Sequence, residues 1–370
     1  MVDIEISPGK RARTAYSFDD ISIVPSRRTR EPNDVSTAWQ IDAFRFELPL
    51  LAAPMDSVVS PETAIAIGRM GGLGVLNLEG LWTRYENPKI QLGEISSLPA
   101  DQATARMQEL YKAPIRAELI KARIAEIRDA GVTVAGALSP QRTAEFHKAV
   151  LDAGVDLFVI RGTTVSAEHV STAQEPLNLK KFIYELDVPV IVGGCATAQS
   201  ALHLMRAGAA GVLVGFGGGA AHTTRQVLGI SVPMATAVAD VASARREYLD
   251  ESGGRYVHVI ADGSVGRSGD IAKAIACGAD AVMLGSPLAR AEEAPGRGWH
   301  WGTEAHHPEL PRGTRVHVGT SGSLQEILLG PSHSADGTMN LFGALRRAMA
   351  TCGYSDLKEF QRVEVVLNKA

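Results

Sequence analysis

The sequence predicts an α/β protein: a (β/α)8 TIM barrel carrying an N-terminal arm and a C-terminal flap segment. Three observations predict it. Short apolar runs of strand type occur eight times, at 50–53, 73–76, 132–135, 157–160, 190–192, 211–214, 257–261 and 281–284. Helix-like runs separate them, and several end on one cadence: D-A-G-V at Asp129 and Asp152, R-A-G-A at Arg206, A-C-G-A at Ala276. Each sets a glycine just past a helix end and then enters a strand. Eight such units over about 250 residues is the length of a closed barrel. A doubly wound open sheet is the alternative on the same rhythm.

The elements follow in order. Residues 1–48 form the arm, polar and broken by prolines, with Phe18, Ile21 and Ile23 available to dock it. The barrel spans 49–290 and opens with L-P-L-L-A-A-P-M-D-S at Leu48, whose strand ends at Pro54. A helix follows over 61–70, with Pro61 in its first turn and Gly71-Gly72 closing it. The interval 81–130 reads as helical, most clearly at 117–130, where Leu119, Ile120, Ile124 and Ile127 make one face. Regular alternation then runs to 290. Residues 291–340 break it with prolines, glycines and histidines. That is too long for a routine barrel loop, and such segments serve as lids or binding loops. A helix over 341–350 and a tail complete the chain.

Bulk properties bound the function. The chain has 370 residues, 45% hydrophobic and 21% charged, so a large core is available and disorder is not expected. A formal net charge of −4 with no basic block argues against nucleic acid as a partner. Cys195, Cys277 and Cys352 stand at no metal or disulfide spacing, which suits a reducing compartment. The N-terminus has no apolar core of signal-peptide type, and no apolar run nears the ~20 residues that cross a bilayer. The expectation is a cytoplasmic protein without a membrane partner.

Chemistry gathers at three strand ends. From Gly211 to Arg225 the chain reads G-V-L-V-G-F-G-G-G-A-A-H-T-T-R, a buried strand running into glycines and a polar H-T-T-R. Glycines let a backbone bend sharply and come close to a ligand or ion. A tight turn without a ligand is the plain reading of the same run. Further on, V-I-A runs into Asp262-Gly263-Ser264, and V-M-L into Gly285-Ser286. In barrel order these are strands seven and eight, whose loops commonly bind phosphate through backbone N–H groups. Gly263 and Gly285 let the backbone reach a phosphate, Ser286 adds a hydroxyl, and Ser264 lies in the same turn. Asp262 is an acceptor suited to paired ribose hydroxyls. These five make a candidate nucleotide site; two ordinary turns with a solvated aspartate are the alternative.

The chain resembles the IMP dehydrogenase/GMP reductase family over nearly its whole length. The resemblance rests on S-F-D-D at Ser17, A-P-M-D-S-V at Ala53, G-R-M-G-G-L-G-V at Gly68 and I-V-G-G at Ile191. It continues through the glycine loop into T-T-R, V-I-A-D-G at Val259, G-A-D-A-V-M-L-G-S at Gly278, E-A-P-G at Glu293 and L-R-R-A-M at Leu345. It is similar to the compact actinobacterial branch of that family. The family's regulatory CBS insert falls between strands two and three. Only the helical stretch 81–130 stands there, so the resemblance implies a chain without the insert.

What the resemblance implies is an oxidoreductase acting on a purine nucleotide 5′-monophosphate (IMP, XMP or GMP) with NAD or NADP, assembled as a homotetramer. Residue by residue it implies Asp262 at the ribose diol, and Gly263, Gly285 and Ser286 at the 5′-phosphate. It implies Thr224 beside the reacting centre, and the carbonyls of Gly217 and Gly219 on a potassium ion. The tail V-E-V-V-L-N-K-A lacks the family's glycine-containing cation segment.

The resemblance also implies departures. The family's nucleophilic cysteine falls three residues after the last loop glycine, and here that residue is His222. His222 stands open as a base, a ligand contact or a polar loop residue. The serine two residues earlier is Ala220. On the cofactor side the aspartate ending strand four is Arg161, the asparagine after strand five is Cys195, and the arginine on strand six is Leu213. The flap's Arg-Tyr pair, the family's water-activating base, has no counterpart in 297–320. Arg161 suits a phosphate, as in NADP selectivity, or a salt bridge. Cys195 reads as a thiolate partner for His222 or as a small buried thiol, and Cys277 reads as helix packing. Two functions therefore stand: an oxidoreductase of the family's type, or a nucleotide-binding paralogue that has lost the reaction and acts through oligomers.

Overall fold

The computed structural model describes residues 3–172 and 176–368. Eight parallel strands close into a barrel. They are β1 Leu50–Ala52, β2 Leu73–Asn77, β3 Ala135–Leu138, β4 Leu157–Arg161, β5 Val190–Cys195, β6 Gly211–Val214, β7 His258–Asp262 and β8 Ala281–Leu284. Each pairs with its neighbours in sequence, and β8 pairs with β1 through Val282 opposite Leu50. Parallel neighbours need a crossover, and here each crossover carries helix on the outside. Both faces of every strand are thus covered, which is why the strands read as nearly unbroken apolar runs. Leu51, Val159, Val212, Ile260 and Val282 have no solvent exposure.

Local chemistry starts and stops the helices. Pro61–Arg69 begins at Ser60, whose hydroxyl accepts the Thr63 N–H at 3.1 Å, with Pro61 where no N–H is needed. The cadence glycines Gly131, Gly154, Gly208 and Gly278 all take positive φ, the left-handed step that ends a helix and turns it towards the next strand.

Two elements differ from expectation. β3 begins at Ala135 rather than 132, because the ladder with β2 starts where Ala135 meets Val75. Val134 instead gives its N–H to Asp156 Oδ2 at 2.8 Å. The run V-T-V-A-G-A-L is nearly all apolar, so hydrophobicity does not mark where pairing starts. The interval 81–130 is a short turn, Leu81–Thr83, and three helices, Lys89–Ser97, Ala100–Leu110 and Ala117–Asp129. Pro99 and Pro114 lie at the breaks, lacking the N–H a continuing helix requires.

The arm is docked: Phe18 and Ile21 are buried, and Ile21–Ile23 pairs antiparallel with Val365–Leu367 of the tail. Residues 291–340 fold over the C-terminal mouth, with a small ladder of Trp299–His300 on Val316–His317 and a helix Leu324–Leu329. Among the described residues, no helix is long and apolar enough to cross a membrane.

At the opposite rim, just before β8, Asp280 ties the tail to the barrel. Its Oδ2 accepts from Arg245 Nη1 at 2.8 Å and from the Val259 N–H at 2.8 Å. Its Oδ1 accepts from Tyr256 Oη at 2.7 Å and Gln361 Nε2 at 3.0 Å, and Lys358 completes the ring. Burial pushes this carboxyl up, but Arg245 and Lys358 outweigh it and hold it at about 2. Asp280→Ala is expected to destabilise the fold by about 3–5 kcal/mol, because it strands a buried guanidinium. The folded value lies below the unfolded ~3.9, so the stabilisation is complete above that pH and is lost as pH falls towards 2. Denaturant unfolding across that window should show a steeper acid loss in wild type than in Asp280→Asn; parallel curves would contradict the assignment.

Candidate functional site

Closing the barrel delivers Arg161, Cys195 and Asp262, the last residues of β4, β5 and β7, to one rim. A cavity of about 300 Å³ opens there. Its walls are Gly217 to His222 after β6 (Ala221 apart), Asp262 to Gly266 after β7, Gly285 to Pro287 after β8, Arg161, and Met55, Arg290, His300 and Thr338. The three glycine loops are stitched together. Ser264 Oγ donates to Gly218 O at 3.4 Å, and Ser286 Oγ accepts the Ala220 N–H at 3.3 Å. Gly217 is at φ +70, and a Cβ there would stand 2.7 Å from His222 Cδ2, so the imidazole lies against a residue that has to be glycine.

Four acidic and basic groups alternate beside the cavity. Arg161 Nε stands 3.3 Å from Asp262 Oδ2. His222 Nε2 stands 3.2 Å from Glu304 Oε2, at ion-pair distance but off the line of a hydrogen bond. Burial pushes the Glu304 carboxyl up; His222 facing it, with Arg161 beyond, brings it well below the usual range. Arg161 is itself disfavoured by burial, yet the Asp262 and Glu304 charges hold it firmly protonated.

Glu304 arrives on the flap. The flap backbone clamps the glycine loop: Thr223 N–H donates to Arg312 O at 2.8 Å, and Thr314 N–H to Ala221 O at 2.9 Å. Beside it, His300 Nδ1 lies 3.1 Å from Ser57 Oγ. Burial, reinforced by His222, lowers His300 to about 3, so it is a neutral imidazole. Behind Ser57, Asp56 accepts from Tyr111 Oη at 2.6 Å, and Tyr111 accepts from Trp301 Nε1 at 3.0 Å. The loop after β1 thus grips the flap on both sides.

The structure brings together Arg161, Gly217, Gly219, His222, Asp262, Gly263, Ser264, Gly285 and Ser286. It does not bring in Thr224 or Cys195. Thr224 is buried at the start of a short helix, Thr224–Leu228. Cys195 was expected on the cofactor side, but its Sγ–H points at Leu213 O, 3.5 Å away, and burial pushes the thiol up to about 12. Of the two carbonyls expected to hold potassium, that of Gly219 accepts the His222 N–H at 3.1 Å. Among the described residues no three His, Cys, Asp or Glu side chains form a metal site. Glu304, His300, Ser57 and Arg290 were not anticipated. The available signals were the polar D-S after a buried strand and the histidine-rich flap.

A closed parallel barrel with its cavity among the loops after β6, β7 and β8 defines a barrel of the ligand-binding, enzyme-bearing class. The chain belongs to the IMP dehydrogenase / GMP reductase family, whose domain model matches residues 15–314. It is 55% identical over 368 residues to an uncharacterized oxidoreductase of Mycolicibacterium smegmatis, covering 97% of this chain and 98% of that one. An uncharacterized oxidoreductase of Mycobacterium leprae is 56% identical over 373 residues, covering 99% and 100%. The crystal structure of an IMP dehydrogenase/GMP reductase-like protein from Corynebacterium glutamicum superposes with a TM-score of 0.94 at 52% identity, covering 99% and 98%.

Asp56 gives the site's support a pH signature. Burial pushes its carboxyl up to about 6, against the Tyr111 hydroxyl and Leu81 N–H that lower it. The folded value exceeds the unfolded ~3.9, so the protonated form stabilises the fold fully below that value and the benefit is lost as pH rises through 6. Melting temperature should fall between about pH 4 and 6 in wild type more than in Asp56→Asn. Equal slopes would show that Asp56 is not the titrating group.

Proposed function

We propose that the cavity binds a purine nucleoside 5′-monophosphate. The observation that carries this is the convergence of Asp262, Gly263, Ser264, Gly285 and Ser286 on one cavity of about 300 Å³, the lower end of the range for small-ligand sites. The phosphate sits at the glycine turns with Ser286 and Ser264, and Arg290 supplies a nearby cation. Arg161 occupies one Asp262 oxygen and leaves the other for the ribose hydroxyls. The base then extends towards Met55, His222 and His300.

Family membership and the relatives' names support oxidoreductase chemistry, with NAD or NADP as the group that would exchange hydride. The residues expected to meet that cofactor fit it poorly: Arg161 is engaged with Asp262, and Cys195 and Leu213 are fully buried. No thiol reaches the cavity either, which favours a second reading, a nucleotide-binding paralogue without hydride transfer. A homotetramer within the cytoplasm, with no nucleic acid or membrane partner, completes the proposal. The exposed Val365, Val366 and Leu367 of the tail strand offer an apolar edge for assembly.

Thermal shift tests the binding. A bound monophosphate stabilises by RT ln(1 + [L]/Kd), about 2.7 kcal/mol at a hundredfold excess over Kd. IMP, XMP or GMP should raise the melting temperature of wild type, and Asp262→Ala should lose most of the rise. No shift with any of the three, or an equal shift in the variant, would contradict the site.

A further inference from the structure

The cavity contains an acid–base group that nucleotide binding leaves unused. The His222 side chain is 6% exposed and lines the cavity, and both of its ring nitrogens are buried without completing a hydrogen bond to the protein. Nε2 faces Glu304. Nδ1 lies on the Gly219 side, 3.5 Å from where a Cβ would stand there, and Ser286 Oγ is 3.6 Å from the same point. A carboxylate at one ring nitrogen keeps the proton on that side and leaves the other nitrogen as an acceptor. The charged and titratable groups around the ring are Glu304 and His300 of the flap, Arg161 of β4 and Asp262 of β7. All four are held: Arg161 pairs with Asp262, Glu304 is buried against the imidazole, and His300 is a buried neutral imidazole, which leaves His222 as the group to move a proton. No thiol lies on the cavity, and the hydroxyls of Ser286 and Ser264 are tied to the glycine loop, which leaves water as the nucleophile.

We propose that this site hydrolyses its nucleotide without redox chemistry, with His222 as general base and Glu304 as the residue that positions it. The inference rests on the nucleotide reading above. Water attacks an electrophilic ring carbon of the purine, forming a C–O bond. Its proton passes to His222 Nδ1. The bond from that carbon to its substituent then breaks, and the substituent leaves with the electron pair. A departing amine takes the proton from His222 and leaves as ammonia; a departing halide leaves the proton to solvent. Nothing is oxidised or reduced. The substrate class is a purine nucleoside 5′-monophosphate bearing an amino group or other leaving group on the six-membered ring.

The test uses the full chain with 2-chloroinosine 5′-monophosphate and 6-chloropurine riboside 5′-monophosphate, without any nicotinamide. Chloride release and the hydroxylated nucleotide should appear in equal amounts from at least one of them. His222→Gln and Glu304→Gln should slow release about a hundredfold or more, with melting temperatures showing that both variants remain folded. Glu304→Gln should lower kcat and leave KM for the nucleotide unchanged, whereas loss of a purely structural contact would not separate the two. Glu304→Asp should recover part of the rate, and Cys195→Ala should match wild type. Nucleotide-induced thermal shift without chloride release above the solvent rate would overturn the hydrolytic inference and leave the binding reading intact. A covalent nucleotide adduct by intact mass would overturn the role of His222 as base. Absence of any thermal shift with either probe or with the natural monophosphates would overturn both readings.

Discussion

A buried carboxylate cannot stay ionised alone, and Glu304 is ionised while 8% exposed. That constraint organises the mouth of the barrel. Glu304 comes from the flap, where it faces His222 on the β6 loop, with the Arg161 guanidinium at the end of β4 as the standing positive charge. Arg161 in turn meets Asp262 at the end of β7. Acidic and basic groups alternate across four segments remote in sequence, and the buried Glu304 carboxylate and Arg161 guanidinium each depend on the neighbours they face. The backbone bridge between His222 and Gly313 fixes the flap over the same place.

The same line separates the two sides of the cavity. On one side the loops after β7 and β8 keep small residues and hydroxyls close to open space, as a phosphate requires. On the other, side chains that might meet a second ligand are committed. Arg161 has an aspartate, Arg312 Nη2 donates to Thr163 Oγ1 at 3.3 Å, and Cys195 and Leu213 face the packed interior. An imidazole coupled to a carboxylate sits between the sides. The neighbouring neutral His300 adds no competing charge.

Much of the fold was legible because it depends on local signals. Alternating apolar runs and glycine-ended helices mark the barrel, and Asp262, Gly263, Gly285 and Ser286 announce themselves by lying at or just past the ends of buried strands. The start of β3 was not legible, since V-T-V-A-G-A-L is nearly all apolar and pairing is decided by where Val75 lies. Glu304 was not legible either. T-E-A-H-H in a long irregular segment has no periodicity, and its partner is 82 residues away by number, from 222 to 304, joined only by tertiary folding. For Arg161 the sequence offered an anion site or a salt bridge, and geometry supplies the salt bridge through Asp262. Cys195 ends a strand as expected, but the register of β5 turns its thiol into the wall.

The claim that these charges act as one unit is tested most directly by a double-mutant cycle between His222 and Glu304. Unfolding free energies of wild type, His222→Ala, Glu304→Ala and the double variant give the coupling between them. Contacting residues in one charge network couple by about 0.5–3 kcal/mol. The structure predicts a favourable coupling in the upper half of that range, because Glu304 alone leaves an unpaired buried charge. Losses that add to within about 0.3–0.5 kcal/mol, the limit for independent sites, would show that the flap carboxylate and the loop imidazole do not hold each other.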